Sequence, residues 1–332
     1  MGNMKLRIIT NFSRLPKTSI SDFQIDCHVY SSRAIGFTGS LFLFFRSFRY
    51  NYILVNGLGR EVLFLAMLKW MFPFHRTRIV LVDILLSTPR TYRDKAKALL
   101  LSVLLKKVYR ILLYYKNTAG LQKEYGIPKE KFGYVPFKIN EEKLVYGAPI
   151  KDEGYVFCGG KTRRDYDTLF KAVSGLDIPV KVVTTENSDI LQHGSFLADE
   201  AAPKNVEIVR LDGRPEKFIT YMAASRLVVL PIKPEICGAG IGVYIMAMAL
   251  KKCVILSAGP GSEDVLDPDM AIVVPARDPE AMRHAIDKAY RDSNYRKTFE
   301  ERGHQYAISL KGEEGLLLSI VKHLHKDAVD TM

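Results

Sequence analysis

Short runs of Val, Ile and Leu alternate with longer helix-like stretches along the whole chain. Lys5–Thr10, Tyr52–Asn56, Arg78–Asp83 and Arg110–Tyr115 read as short buried strands, with Arg60–Met71, Thr91–Val108 and Asn117–Tyr125 as helices between them. The pattern then repeats. Gly154–Cys158, Val180–Thr184, Val206–Val209, Leu227–Leu230, Cys253–Leu256 and Ala271–Val274 read as strands; Asp165–Ser174, Glu216–Ala224, Gly242–Leu250 and Pro279–Arg291 read as helices. Continuous apolar strands separated by helices imply parallel sheets covered on both faces. Two such series predict an α/β protein of two Rossmann-like, doubly wound domains facing a cleft. The first domain is expected over 1–138. A linker follows over 139–153, where Asn140, Gly147 and Pro149 break any periodicity. The second domain is expected over 154–311, and the tail over 312–332 reads as a last helix free to return to the first domain. No repeat of solenoid length and no low-complexity tract is visible.

The composition, 332 residues with 48% hydrophobic and 25% charged, excludes wholesale disorder and a disulfide mini-protein. Cys27, Cys158, Cys237 and Cys253 form no CxxC pair, so neither a zinc ribbon nor a disulfide framework is supported, and a reducing, cytoplasmic setting is the simplest reading. The longest uncharged stretch, Ile236–Leu250, falls short of the ~20 residues that span a bilayer. Met1–Arg14 carries no apolar segment of signal-peptide type. A soluble or peripherally attached protein is expected.

Charge changes this picture because it is unevenly placed. Residues 1–150 hold 24 Lys/Arg against 9 Asp/Glu, whereas residues 151–332 hold 24 against 27. A basic half implies an anionic partner. The same half interleaves aromatics with cations: Leu41–Tyr50 contains Arg46 and Arg49 among four phenylalanines, and Lys69–Arg76 surrounds Trp70 with Phe72 and Phe74. Arg93, Lys95, Lys97, Lys106 and Lys107 flank the apolar block Ala98–Leu105. Rings that enter an interface beside cations that meet headgroups suit an anionic membrane surface. Arg46, Arg49, Trp70, Arg93 and Lys97 are the candidate membrane or acceptor contacts. The competing reading places the aromatics in the core and the cations on a solvated face. Nucleic acid also fits the charge, but no recognised nucleic-acid module is present.

In an open parallel sheet, ligands bind at the carboxyl ends of the strands, so the loops after them are where chemistry is sought. The first, Phe157–Tyr166, offers Gly159 and Gly160 for close backbone approach, with Lys161, Arg163 and Arg164 as cations at a helix start, a combination suited to a diphosphate. The second, Glu235–Tyr244, offers Gly238, Ala239, Gly240, Ile241 and Gly242 at another helix start. Its spacing is GxGxG rather than GxGxxG, and the acidic residue of a dinucleotide site is missing after the next strand, which disfavours a nicotinamide dehydrogenase. The third loop brings Gly259 and, near an expected helix start, Glu263 as a sugar-hydroxyl ligand or a residue placed there by the helix dipole. Asp83 ends a strand of the basic half, where it would contact a substrate hydroxyl or cap the next turn. P-loop, GxSxG and HExxH patterns are absent, and no metal site is read.

The second half resembles the nucleotide-sugar-binding domain of GT-B glycosyltransferases, in particular the family-4-like group. The likeness rests on Phe157-Cys-Gly-Gly, Arg164-Asp-Tyr-Asp-Thr-Leu-Phe-Lys-Ala, Leu227-Val-Val-Leu-Pro, Gly238-Ala-Gly-Ile-Gly-Val-Tyr-Ile-Met-Ala-Met-Ala-Leu, Gly259-Pro-Gly and Ile272-Val-Val-Pro-Ala-Arg-Asp-Pro-Glu. In the first half, Tyr125-Gly-Ile-Pro and Tyr134-Val-Pro are compatible with it. The resemblance implies a nucleotide diphosphate sugar as donor, held by the second domain, with the acceptor held by the first. Arg164 falls where the group has a diphosphate-binding Lys; the neighbouring Arg falls on Gly160, and Lys161 stands in for it. The group's paired glutamates fall on Gly238 and Met246, leaving Glu235 as the nearby carboxylate for the first role.

Glycosyl transfer to an acceptor hydroxyl is therefore the expected activity, with Glu235 and Asp83 as candidate catalytic residues, no permanently bound cofactor and no metal requirement. The acceptor is expected to be a lipid-linked or cell-surface glycan precursor at the inner face of the cytoplasmic membrane. A GT-B-fold nucleotide-sugar epimerase is the alternative enzyme, and a basic nucleic-acid- or membrane-binding protein the non-enzymatic one.

Overall fold

The computed structural model describes residues 5–15, 24–31 and 36–329. The first four residues of the segment read above for a signal peptide lie outside them. The chain divides into two compact units, Met1–Pro136 with Glu314–Met332, and Phe137–Glu313.

The first unit contains β1 (Lys5–Thr10), β2 (Gln24–Val29), α1 (Phe37–Ser47), β3 (Tyr52–Asn56), α2 (Arg60–Met71), β4 (Arg78–Val82), α3 (Tyr92–Leu105), β5 (Arg110–Leu113), α4 (Ala119–Tyr125) and β6 (Phe132–Tyr134). Its six strands form one parallel sheet in the order β2-β1-β3-β4-β5-β6. The central strands are buried: Ile53, Leu54, Val55, Ile79, Val80, Leu81 and Val82 are all sealed from solvent. That is why they read as continuous apolar runs rather than alternating ones. Helix α3 starts where the sequence demands it, at a capping box in which Thr91 Oγ1 accepts from the Asp94 amide while the Asp94 carboxylate accepts from the Thr91 amide.

The second unit contains α5 (Glu142–Gly147), β7 (Val156–Gly159), α6 (Tyr166–Val173), β8 (Val180–Thr184), α7 (Asn187–Gln192), β9 (Val206–Arg210), α8 (Pro215–Ala224), β10 (Leu227–Leu230), α9 (Ile241–Ala249), β11 (Cys253–Ser257), β12 (Ile272–Val274), α10 (Pro279–Arg291) and α11 (Ser293–Ser309). Its parallel sheet runs β12-β11-β10-β7-β8-β9. Val156, Cys158, Val180, Val182, Leu227, Val229, Cys253 and Ile255 pack with Leu169, Val173, Met282 and Ile286 into the core of this unit. Both doubly wound sheets expected from the alternation are therefore present. The four cysteines are free, and three of them are buried.

The last helix, α12 (Gly312–Val329), leaves the second unit at its first turn and packs on the first. Tyr52 donates to the Leu324 carbonyl at 2.9 Å, the His323 ring bonds the Tyr134 carbonyl at 2.9 Å, and Arg110 meets the buried Asp327 carboxylate at 2.6 Å.

Two local expectations need correction. The stretch 139–153 carries helix α5 and belongs to the second unit, because Val145 is buried and the Lys151 and Glu153 amides bond the carbonyls of Ala223 and Ala224. Gly259–Glu263 opens a run of turns, not a helix, so Glu263 has no helix start to occupy. The phenylalanine-rich Leu41–Tyr50 belongs largely to α1, and β2, α7, β6 and α11 went unrecognised for want of clear apolar periodicity.

Candidate donor site

The strand order of the second unit fixes the place to look. From β7 the chain winds outward to β8 and β9, then returns to set β10 on the other side of β7. The switch point thus lies between β7 and β10, where an open α/β sheet forms a crevice outside its strand ends. The two loops that leave these strands are Gly160–Asp165 and Pro231–Gly240, the first two glycine-bearing loops singled out from the sequence.

Arg164 ties them together. Its side chain is only 1% exposed, although it carries a full charge. Nε donates to the Gly159 carbonyl and Nη1 to the Thr162 carbonyl, both at 2.8 Å, while its amide donates to Ser195 Oγ at 2.7 Å. The residue also bridges to Ile232 of the second loop. Burial holds this guanidinium below its ordinary pKa. It is satisfied by carbonyl dipoles, and no ion pair to a carboxylate is present for it among the described residues. Gly160, at φ 104°, lies so close that a Cβ there would run into Arg164 Nη2. At Gly240, with φ 82°, a Cβ would lie 3.7 Å from Nη1 and 2.7 Å from Ile232 Cδ1. Both glycines have the left-handed backbone that favours glycine; the guanidinium also closes the space at Gly160, and the Ile232 side chain closes it at Gly240.

Gly240 is also the N-cap of α9, whose first residues are Ile241 and Gly242. The first amides of a helix lack intrahelical acceptors and carry partial positive charge, so this end favours an anion. At the other loop Asp165 caps α6 through the Thr168 amide.

The other predicted cations have partners. Lys161 Nζ meets Asp189 Oδ2 at 2.6 Å, and Thr185 Oγ1 donates to the same oxygen at 2.6 Å. These bonds keep Asp189 below the usual carboxylate range. Arg163, at φ 57°, pairs with Glu235 at 3.6 Å, and the Glu235 side chain is 5% exposed. That pair joins the two loops.

Beside Gly160 and α9 lies an open cavity of about 420 Å³. Lys161, Thr162, Thr184, Thr185 and His193 form one wall, Leu211, Gly213, Arg214 and Pro215 another, and Val243 and Met246 of α9 a third, with Asn140 and Glu141 at its edge. This size and mixed lining suit a small-molecule ligand. The structure brings Gly160 and Lys161 onto the cavity. Gly159 and Arg164 stand behind them, and Gly242 adjoins Asn140, whose Nδ2 would lie 2.8 Å from a Cβ there. Glu235, Ala239 and Gly259 do not line this cavity; they border a separate small hollow with Cys237 and Ser257. Gly238 is buried beside Gly261, and Glu263 is exposed and lines neither. Thr184, Leu211, Gly213, Arg214 and Glu141 were missed: each lies at or near a strand end or just before a helix, outside the multi-glycine loops that drew attention.

Asp83 lies in the first unit, just after β4, at φ 62°. Its amide donates to the Leu112 carbonyl at 2.8 Å, so it extends the sheet and caps no helix; α3 begins only at Tyr92. Burial pushes its carboxyl up to about 6, and burial, with the Asp83 charge as the smaller cause, pushes Tyr114 above the usual phenol range.

In the same unit, Phe42, Phe45 and Phe48 of the α1 region, Trp70 and Met71 of α2, Phe74, and Tyr92, Leu99 and Leu100 of α3 are exposed. Arg46, Arg49, Arg93 and Lys97 are exposed too. Arg46 approaches the Phe42 ring at 6.0 Å, and Lys107 lies 4.2 Å over Trp70, whose Nε1 donates to the Val103 carbonyl at 3.3 Å. Phe44 alone of this cluster is fully buried, stacked 4.2 Å from the buried His75. No helix among the described residues is long and apolar enough to cross a membrane, and no group of three or more His, Cys, Asp or Glu side chains among them could hold a metal ion.

Residues 162–292 match the family described as glycosyl transferases group 1. No curated protein sequence matches the chain. Among solved structures, sucrose-phosphate synthase from Thermosynechococcus elongatus is similar over 92% of this chain and 82% of its own, with 16% identity and a TM-score of 0.65. A glycosyltransferase from Rickettsia africae matches over 100% of both chains at 13% identity and TM-score 0.63. HepE from Anabaena, whose structure holds UDP and glucose, matches over 99% of this chain and 100% of its own at 12% identity and TM-score 0.63.

Proposed function

Residues 162–292 match the group 1 glycosyl transferases, and we propose that the chain is a GT-B glycosyltransferase that moves a sugar from a nucleotide diphosphate sugar to the hydroxyl of a lipid-linked or cell-surface glycan precursor. The observation that carries the donor half of this reading is Arg164: a buried guanidinium without a carboxylate partner, held between two glycine loops at the switch point of the sheet.

In such a transfer the bond between the anomeric carbon and the diphosphate oxygen breaks, and negative charge grows on the leaving phosphate. Fixed positive groups stabilise that charge without reorganising. Lys161, the Arg164 guanidinium behind the Gly160 loop and the start of α9 supply them, and the role asks for no metal. Base and ribose then occupy the cavity bordered by Leu211, Gly213, Val243 and Met246; HepE, which shares this fold, holds UDP in its own structure. Lys161 reaches the diphosphate by leaving Asp189.

The first unit takes the acceptor. Its exposed aromatics and cations on α1, α2 and α3 support docking on an anionic membrane, at the inner face of the cytoplasmic membrane where lipid-linked precursors are assembled.

A panel of UDP-, GDP-, ADP- and dTDP-sugars tests the donor reading by thermal shift. One of them should raise the melting temperature and then turn over with an acceptor, in the presence of a chelator. Silence across the panel would remove the reading. Co-sedimentation with anionic vesicles at low salt tests the docking separately.

A further inference from the structure

We propose that Glu141 determines donor recognition by accepting hydrogen bonds from a vicinal diol of the nucleotide sugar, a step that rests on the donor reading above. Among the sixteen residues that line the 420 Å³ cavity, Glu141 is the one carboxylate; Lys161 and Arg214 are cationic, and the others are His193 and uncharged side chains. An ionised carboxylate accepts hydrogen bonds and donates none. It has nothing to offer the diphosphate, which is itself anionic and an acceptor. The donors that a nucleotide sugar brings in adjacent pairs are its hydroxyls, on the ribose and on the sugar ring. A carboxylate has two oxygens and can take both members of such a pair.

The backbone shows that this side chain is held at the rim against its own preference. Glu141 has φ 50° and ψ 43°, a left-handed conformation that costs a residue with a Cβ on the order of 1 kcal/mol and costs glycine almost nothing. The conformation is locked from both sides. The Glu141 carbonyl accepts from the amides of Leu144 at 2.8 Å and Val145 at 3.0 Å, so it opens α5. Asn140, immediately before, sits against Gly242 in the first turn of α9, where there is no room for a Cβ. The strained residue is therefore fixed between the start of α5 and the start of α9, next to Val243 and Met246, which present only apolar groups to the same cavity. A position that asks for glycine but carries a long acidic side chain, at the edge of a ligand cavity, points to use of that side chain.

The test uses the full chain and titration calorimetry with UDP, GDP, ADP and CDP, then the 2′,3′-dideoxy counterpart of the tightest of these and its glucose conjugate. Glu141→Gln should weaken the ribonucleotide roughly tenfold while the dideoxy nucleotide binds wild type and variant alike; that outcome places the diol on the ribose. If the diphosphate binds both proteins equally and only the glucose conjugate is weakened, the diol belongs to the sugar ring. Equal binding of every ligand by both proteins, or an equal loss with the dideoxy nucleotide, would overturn the proposal. Glu141→Gly gives a second reading. It should lose the same selectivity for the diol while its melting temperature holds or rises, since the backbone strain is relieved. A nucleotide that binds wild type but shows no dependence on residue 141 sinks this inference and leaves the donor reading standing; no nucleotide binding at all sinks the donor reading first.

Discussion

The Arg164 guanidinium donates to the Gly159 carbonyl at 2.8 Å from a position that is 1% exposed, so a full positive charge is stored at the carboxyl end of β7. Arg164→Met keeps much of the volume but removes the charge and leaves the carbonyls of Gly159 and Thr162 without their donor. Each orphaned acceptor costs about 1–3 kcal/mol. We expect a less stable protein that no longer responds to any nucleotide sugar in a thermal-shift panel. Arg164→Lys should recover part of the shift because one charge returns. A variant that keeps the full donor shift would show that the phosphate site lies elsewhere.

Asp189 competes with an incoming diphosphate for Lys161. Asp189→Asn frees the ammonium and removes a negative charge from the approach to the cavity. The pair is exposed and screened by solvent, so nucleoside diphosphate affinity should rise only about two- to fivefold, read by calorimetry at low salt. A drop in affinity would instead mean that Asp189 positions Lys161.

Glycines at the site should differ sharply in their tolerance of a methyl group. At Gly240 the backbone is left-handed and Ile232 Cδ1 would lie 2.7 Å from a Cβ, whereas nothing lies within 4 Å at Gly259. Gly240→Ala should lose about 1–3 kcal/mol in urea unfolding together with donor binding. Gly259→Ala should stay within about 0.5 kcal/mol of wild type.

Asp83 makes stability depend on pH. Its carboxyl is raised from 3.8 to about 6 in the folded chain. The native state therefore holds a proton that the unfolded chain gives up between these values. Stability from this group is full below about pH 4, falls as pH rises towards 6, and stays low above it. Asp83→Asn keeps the uncharged form and should flatten that slope, with a gain at pH 7 of up to about 3 kcal/mol. Urea titrations at pH 4.5 and 7 compare the two proteins.

Vesicle binding should need both the rings and the cations of the first unit. Phe42 and Phe45 are 66% and 56% exposed, so replacing both with Ser should leave the melting temperature nearly unchanged. Partitioning onto anionic vesicles should fall about tenfold or more. Raising the salt should weaken the wild type in parallel with loss of Arg46 and Arg49. Unchanged sedimentation of the double variant would remove the membrane surface from this face.

The alternation of apolar runs with helices was enough to predict two parallel sheets, because a strand buried on both faces has to be apolar on both. Val180–Thr184 and Leu227–Leu230 could be placed to the residue for that reason. The glycine loops could be found as well, since Gly160 and Gly240 must adopt conformations that other residues resist. Tertiary structure alone decided which charges meet. Nothing local says that Arg164 turns inward to two carbonyls while Lys161 turns to Asp189 and Arg163 to Glu235. The last two pairings join residues far apart in the sequence, and Arg163 meets Glu235 only because the sheet order brings the loops after β7 and β10 side by side. Helix α5 and Glu141 were hidden for the same reason: a short, polar stretch carries no periodic signal, and its place at the cavity is fixed by packing against α9 rather than by its own residues.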